Sequence, residues 1–459
     1  MKFQFRSKKY FCLRLFFIVA MLASGAVMLS CATARKSAAP YGLNLRPPLK
    51  AYLQMPERAS GAIPRLLSQS GAFKDTPGLV PDDALIPYDL IVSFWSDGAM
   101  KSRWISVPDG KIKFAPTGEW VFPKGTVFVK HFELAVDETH PEIKRRLETR
   151  LLVCDADRGV YGVTYKWRAD NRDADLLDTN LTEAISIKTA TGTRTQTWYY
   201  PSRQDCLTCH TDNAGHVLGV KTRQLNHDFV YPTGTTDNEL RAWNHLGLFD
   251  TNLNQSALKN FPQLARANDA TRTLEDRARS YLDANCANCH RPHGTVAYFD
   301  ARYDTPLAQQ NLINGPVLID ERLDHPHIIA PNDIWRSILF MRANTIEPFK
   351  MPPLARNTID EPGMKLMRQW IESLPGPPVL PPPEISPHGG KFAQPVAVTL
   401  KSEPGATIRY TLDGTVPTTS DLLYEKPVPL TGPTILRAKA FQPGFTTSIT
   451  VQEIFIVGE

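Results

Sequence analysis

The sequence predicts a multidomain α+β chain: a β-rich N-terminal domain, an α-helical section, and an all-β module at the C-terminus. Three observations carry this. Period-two runs rich in β-branched and aromatic residues fill residues 81–200. Two copies of Cys-x-x-Cys-His, Cys206-Leu-Thr-Cys209-His210 and Cys286-Ala-Asn-Cys289-His290, fall in the section 201–375, beside segments of helical period. A Pro-rich stretch, Leu374-Pro-Gly-Pro-Pro-Val-Leu-Pro-Pro-Pro, then sets off the last seventy or so residues.

In the β-rich domain, Trp104-Ile-Ser-Val, Val127-Phe-Val-Lys-His-Phe-Glu-Leu and Gly159-Val-Tyr-Gly-Val-Thr-Tyr-Lys-Trp are separated by Pro-Asp-Gly, Pro-Lys-Gly and Asp-Arg-Gly turns. In the helical section, Thr273 caps a helix with Asp276 three residues on, and Leu274, Ala278, Tyr281 and Leu282 share one face running into Cys286. A second helix is predicted from Asp360, with Met364, Met367, Ile371 and Leu374 inward. Residues 376–388 read as a stiff linker. Residues 389–459 read as strands, with Thr407-Ile-Arg-Tyr-Thr and Ile435-Leu-Arg-Ala-Lys-Ala alternating and Asp413-Gly414 supplying a hairpin turn.

The first thirty residues read as an export signal. Lys2, Arg6, Lys8, Lys9 and Arg14 precede the apolar run Leu15–Leu29, which is short for a membrane span. Val-Met-Leu-Ser-Cys resembles a bacterial lipoprotein cleavage box with Met28 in place of the usual Leu, so Cys31 is the candidate lipidated residue; an ordinary cleavage nearby, after Ala32 or Ala34, is the alternative. By the same resemblance, Ala32 after the cysteine favours outer-membrane attachment on the periplasmic side. Residues 31–80 read as a tether. The formal charge is +5, and the five basic residues of the leader account for it. A near-neutral mature chain gives nucleic-acid binding no electrostatic support.

The chain has seven cysteines. Cys12 lies in the leader, Cys31 is the anchor, four belong to the motifs, and Cys154 reads as a buried strand residue. Cys-x-x-Cys-His is the attachment signature of c-type haem: two thiols one helical turn apart add to two porphyrin vinyls, and the next imidazole lies under the iron. Zinc or a redox dithiol is the competing chemistry, but zinc needs the cysteine pairs to converge and needs no His after each pair. The expectation is two haem c groups attached at Cys206, Cys209, Cys286 and Cys289, with His210 and His290 as axial ligands.

Met351, held between prolines in Pro348-Phe-Lys-Met-Pro-Pro353, is expected opposite His290. No methionine lies between His210 and His290, so the first iron draws on a nearby histidine, an upstream residue, or nothing. His131, on the strand face shared with Val127 and Val129, is ranked first, ahead of Met100, His227 and His245; His216 is too close to His210 to reach across.

At these residues the chain resembles a family of bacterial dihaem c-type cytochromes, some of which accompany sugar dehydrogenases. The matching stretches are Phe94-Trp-Ser-Asp-Gly-Ala, Phe122-Pro-Lys-Gly-Thr-Val-Phe-Val-Lys, Pro201-Ser-Arg-Gln-Asp-Cys-Leu-Thr-Cys-His-Thr, Arg277-Ala-Arg-Ser-Tyr-Leu-Asp-Ala-Asn-Cys and Met351-Pro-Pro. The resemblance implies an α-helical dihaem cytochrome c region over 201–375. The tail, through Ile408-Arg-Tyr-Thr-Leu-Asp-Gly-Thr-Val-Pro-Thr, is similar to the immunoglobulin-like β-sandwich that ends chitobiases and β-hexosaminidases.

The expected function is electron transfer between a periplasmic donor, such as a dehydrogenase, and an acceptor protein. One alternative is a peroxidase-type enzyme with an open first haem and His216 or His227 as distal acid or base. Another is a polysaccharide-binding haem protein whose Tyr410 and Tyr424 stack on sugars.

Overall fold

The computed structural model describes residues 40–157, 159–321 and 323–458. The signal peptide and Cys31 lie outside the described residues.

Two short strands, β1 (Phe73–Asp75) and β2 (Val80–Pro81), pair with each other ahead of the main sheet. That sheet is an antiparallel meander in sequence order: β3 (Ile86–Tyr88), β4 (Met100–Ser106), β5 (Val127–Ala135), β6 (Lys144–Cys154), β7 (Val160–Trp167) and β8 (Ala174–Leu176). A hairpin of β9 (Leu181–Thr189) and β10 (Gly192–Tyr200) follows. Both faces of the sheet are covered, so β5 is buried almost throughout rather than on alternate residues.

On one face Val127, Val129, Leu151, Val153, Val163 and Tyr165 meet Met55, Leu67, Phe73 and Leu85. Residues 42–80, read as a tether, therefore supply part of the core. On the other face, Ile105, Phe128, Cys154 and Val160 meet Trp120, Trp243 and Phe249. Cys154 ends β6 in that core, and burial pushes its thiol up to about 12, which keeps it protonated and inert.

The expected α-helical dihaem region is not there. Between residues 201 and 375 the helices are α1 (Arg203–Cys209), α2 (Thr222–Leu225), α3 (Glu239–His245), α4 (Leu274–Asn285), α5 (Ile338–Ala343) and α6 (Glu361–Ser373). Four of these six α-helices have seven residues or fewer, and the described residues are β-rich. A ribbon of β11 (Asp228–Val230) and β12 (Thr236–Asn238) interrupts them. The physical reason is backbone conformation. Between α4 and α5, His293, Asn311, Asn314, Glu321, His325 and Asn332 all have positive φ, which no right-handed helix accommodates.

The two longer helices form where their caps are. Thr273 accepts from the Asp276 amide at the start of α4, and Asp360 accepts from the Gly363 amide at the start of α6. They pack with Leu282, Met364, Met367 and Ile371 in a shared core. Gly363 permits the close approach: a Cβ there would lie 2.5 Å from Tyr281.

At the C-terminus, β13 (Glu384–Ser386), β15 (Val396–Lys401) and β18 (Val428–Leu430) form one sheet. The facing sheet has the order β14 (Gly390–Phe392), β20 (Val451–Val457), β19 (Thr434–Phe441), β16 (Thr407–Thr411) and β17 (Leu422–Leu423). Val398, Leu400, Leu436 and Phe455 fill the space between them, a β-sandwich as expected. The Pro-rich stretch is no free spacer. Leu380 is buried and bonds to Thr446, and the Arg336 guanidinium donates to the Thr447 and Ser448 carbonyls. Asp324 adds bonds to Lys439 and Thr450.

Gly162 of β7 is where α1 meets the sheet: an added Cβ would come within 2.7 Å of Cys206 Sγ and 2.8 Å of its Cβ. Gly162→Ala is therefore expected to lower unfolding stability by ~1–3 kcal/mol, the usual cost of overpacking. Urea denaturation followed by tryptophan fluorescence checks it, and an unchanged midpoint would show that α1 shifts freely.

Candidate functional site

The two motifs, about eighty residues apart in sequence, meet in space. α1 carries Cys206 and Cys209 and is started by Ser202, whose hydroxyl accepts from the Asp205 amide while the Asp205 carboxylate accepts from the Ser202 amide. The second motif begins at the C-cap of α4 and continues as a tight turn, with the Cys289 and His290 amides bonding back to the Cys286 carbonyl. The Cys209 and Cys289 thiols share a hydrogen bond, which holds Cys289 below the ordinary thiol range and drives Cys209 above it.

Ion pairs lock this convergence. Arg291, next to His290, donates to the Asn213 carbonyl at 3.3 Å, to the Ala287 carbonyl at 2.6 Å and to Glu119 at 2.9 Å. Lys221 pairs with Asp283 at 2.9 Å and lies 3.5 Å from the same Glu119. Phe94-Trp-Ser-Asp-Gly is a second tie. The Trp95 amide donates to Asn285 at 2.8 Å, and Asp97 accepts from the Asn357 and Thr358 amides, each at 2.8 Å.

The histidines of the two motifs differ. His210 donates through Nδ1 to the His216 carbonyl at 2.6 Å, which leaves Nε2 with its lone pair. Burial brings His210 down to about 4. Burial, with the Arg342 cation, also lowers His290 to about 4; its ring stacks on Phe299 at 4.3 Å and its buried Nδ1 has no hydrogen-bond partner. Both imidazoles are neutral at pH 7.

His290 and Met351 line one cavity of about 160 Å³ with Trp95, Tyr281, Cys286 and Phe299. Val296, Tyr298, Leu318 and Ile319 are exposed at its walls. His131 stands elsewhere. It is buried in β5 on the face of Val127 and Val129, with Nδ1 2.8 Å from Thr149 Oγ1 and Nε2 3.8 Å from Glu133. Its neighbour Lys130, on the opposite face, is the one whose charge reaches His210. Met100, at the start of β4, is exposed.

The expectation of two haem c groups is corrected on two findings. Among the described residues no group of three or more His, Cys, Asp or Glu side chains is placed to hold a metal ion, and the helical region that was to carry both groups is not formed.

Sequence reasoning passed over Glu239. It is fully buried, accepts from the Asp89 amide at 2.8 Å and lies 3.3 Å from His227 Nε2. Burial raises Glu239 to about 7, and the Glu239 carboxylate raises His227 despite burial. Both groups hold protons more tightly folded than unfolded. Glu239's stabilisation is thus present at low pH and lost as pH climbs from about 4.5 through 7, and His227's is present below about 6.5 and lost above it. Glu239→Gln is expected to flatten stability against pH in that window, as read by urea midpoints from pH 4.5 to 8; an unchanged slope would assign the dependence to other groups.

Residues 387–452 match the model of the chitobiase/beta-hexosaminidase C-terminal domain. Neither a curated protein nor a solved structure matches the chain. The match covers the C-terminal module alone, which is similar to that domain and is carried on a β-rich body.

Proposed function

We propose that this chain is an exported electron-transfer protein, relaying electrons between a donor such as a dehydrogenase and an acceptor protein. On this reading Cys31 anchors it on the periplasmic side of the outer membrane. The observation that carries the proposal is the convergence of the two Cys-x-x-Cys-His motifs, with Cys209 against Cys289. Four thiols and two neutral imidazoles gathered under one ion-pair network suit a redox centre better than a hydrolytic one. The relay is assigned to the paired motifs and to no named prosthetic group.

The test poises the exported protein at potentials from about −400 to +400 mV, the span of common biological couples. At each potential, cysteine-mapping mass spectrometry and the absorbance spectrum are recorded. A reversible change located at Cys206, Cys209, Cys286 and Cys289, lost in the Cys209→Ser/Cys289→Ser variant, is expected. Four cysteines and a spectrum that stay the same at every potential would reject the relay.

The matched C-terminal domain supports a second reading, contact with carbohydrate. Tyr410 and Tyr424 do not supply it as stacking platforms, because both pack against the sandwich core. The outer face of the larger sheet, where Ile435 and Ile454 are exposed neighbours, is the surface left to test. Retention of the full chain on chitin or other insoluble polysaccharides, abolished by Ile435→Asp/Ile454→Asp, is the expected result; no retention of wild type refutes it.

A further inference from the structure

Across the three central strands of the main sheet, one row is made entirely of basic side chains. Lys130 of β5 is directly paired with Arg103 of β4 on one side and Arg150 of β6 on the other. The next row on that face carries Lys101 opposite Phe132. Side chains directly opposite in antiparallel strands are about 5 Å apart at Cβ, where like charges repel.

Two of the four cations are answered within the fold. Arg103 bonds to Asp89 and Ser93, and Arg150 takes both oxygens of Glu148 at 2.6 and 3.0 Å. Lys101 has only the Phe94 carbonyl, at 2.9 Å. Lys130 has only the Phe132 ring, with its ammonium 5.0 Å from the centroid, and that ring is shared with the Arg150 guanidinium at 4.6 Å. No carboxylate of the described residues is in ion-pair reach of Lys130. Desolvation and the flanking cations press both lysines towards the neutral form, outweighing the Glu148 carboxylate at Lys130 and the more distant Asp89 and Asp360 at Lys101, and bring Lys101 down to about 7 and Lys130 well down.

The row faces the first motif, since the charges of Lys130 and Arg150 act on His210 and the Cys206 and Cys209 sulfurs act on Arg150. It is not sealed: Lys130 is partly exposed and the Arg150 side chain is 25% exposed. A row of cations on a covered sheet face is costly unless an anion completes it. We propose that an oxyanion, a carboxylate or a phosphate, binds against Lys130 and Lys101, between the β4–β6 face and α1. Asp89 and Glu148 are engaged by Arg103 and Arg150, and the ligand supplies the direct ion-pair partner that Lys130 and Lys101 lack.

The test uses the full exported chain, with inorganic phosphate and acetate as separate probes and chloride at equal ionic strength as control. Phosphate or acetate is expected to raise Tm saturably, beyond chloride, and which of them does so names the oxyanion. Lys130→Met is expected to weaken that response at least ~10-fold, as for loss of one charge-assisted contact, while Lys130→Arg retains it. In chloride alone Lys130→Met is expected to be at least as stable as wild type, because a covered amine with no ion-pair partner has been removed. An acid already held by the purified protein and released on denaturation, seen by mass spectrometry, also supports the site. The proposal is overturned if phosphate and acetate do no more than chloride and no acid is released.

Discussion

The structure around the two motifs depends on a buried ion network centred on Glu119. That one carboxylate answers Arg291, the residue after the second motif, and Lys221 from the segment after the first, while Asp283 of α4 holds Lys221 from the other side. Removing one member of such a network leaves a buried charge unpaired, at a cost of about 3–5 kcal/mol. The convergence of Cys209 and Cys289 is thus held by neighbours of the motifs. The motifs themselves contain no charged residue besides the two histidines, which are neutral, and could not fix their own relative position.

The main sheet sets the other half of the geometry through its period of two. A slip of one residue in β5 would put Lys130 into the apolar core of Val129 and Leu151, and His131 against α1. The observed register does the reverse. It places His131 with Thr149 and Trp167, where its Nδ1 meets the Thr149 hydroxyl, and gives the basic row to the face that α1 approaches. Gly162 belongs to the same register, in the neighbouring row opposite Leu152, and its missing side chain admits Cys206. Core, cation row and motif contact are consequences of a single alignment of four strands.

The strands of this sheet were legible because alternation and turn residues are local signals, and α4 and α6 because Thr273 and Asp360 announce their starts. The face assigned to His131 was correct, but what covers that face depends on residues 52–85, whose sparse apolar positions look like a tether until Leu67 and Phe73 are seen buried. The long irregular path between α4 and α5 was illegible for a related reason. Its shape rests on left-handed residues and on bonds such as Arg279 to the Tyr303 and Thr305 carbonyls, which join points more than twenty residues apart. In the candidate site, the motif residues and the joining of His290 with Met351 in one cavity could be anticipated. The meeting of the two motifs could not, because Glu119 lies in a loop with no motif of its own.

The C-terminal module reads differently once its attachment is considered. Asp324 and Arg336, which bond to it, flank Ile328 on the path that also supplies Leu318 and Ile319 to the cavity of His290 and Met351. Arg336 is itself held by Asp333 at 2.7 Å and is 7% exposed, so its bonds to the Thr447 and Ser448 carbonyls are part of a buried joint rather than a surface touch. A module that matches the chitobiase/beta-hexosaminidase C-terminal domain is here joined to the wall-bearing segment of the body. Lys439 of β19 and Thr450, just before β20, both bond to Asp324 of that segment. The joint between module and body is thus made by the same stretch of chain that lines the cavity of His290 and Met351.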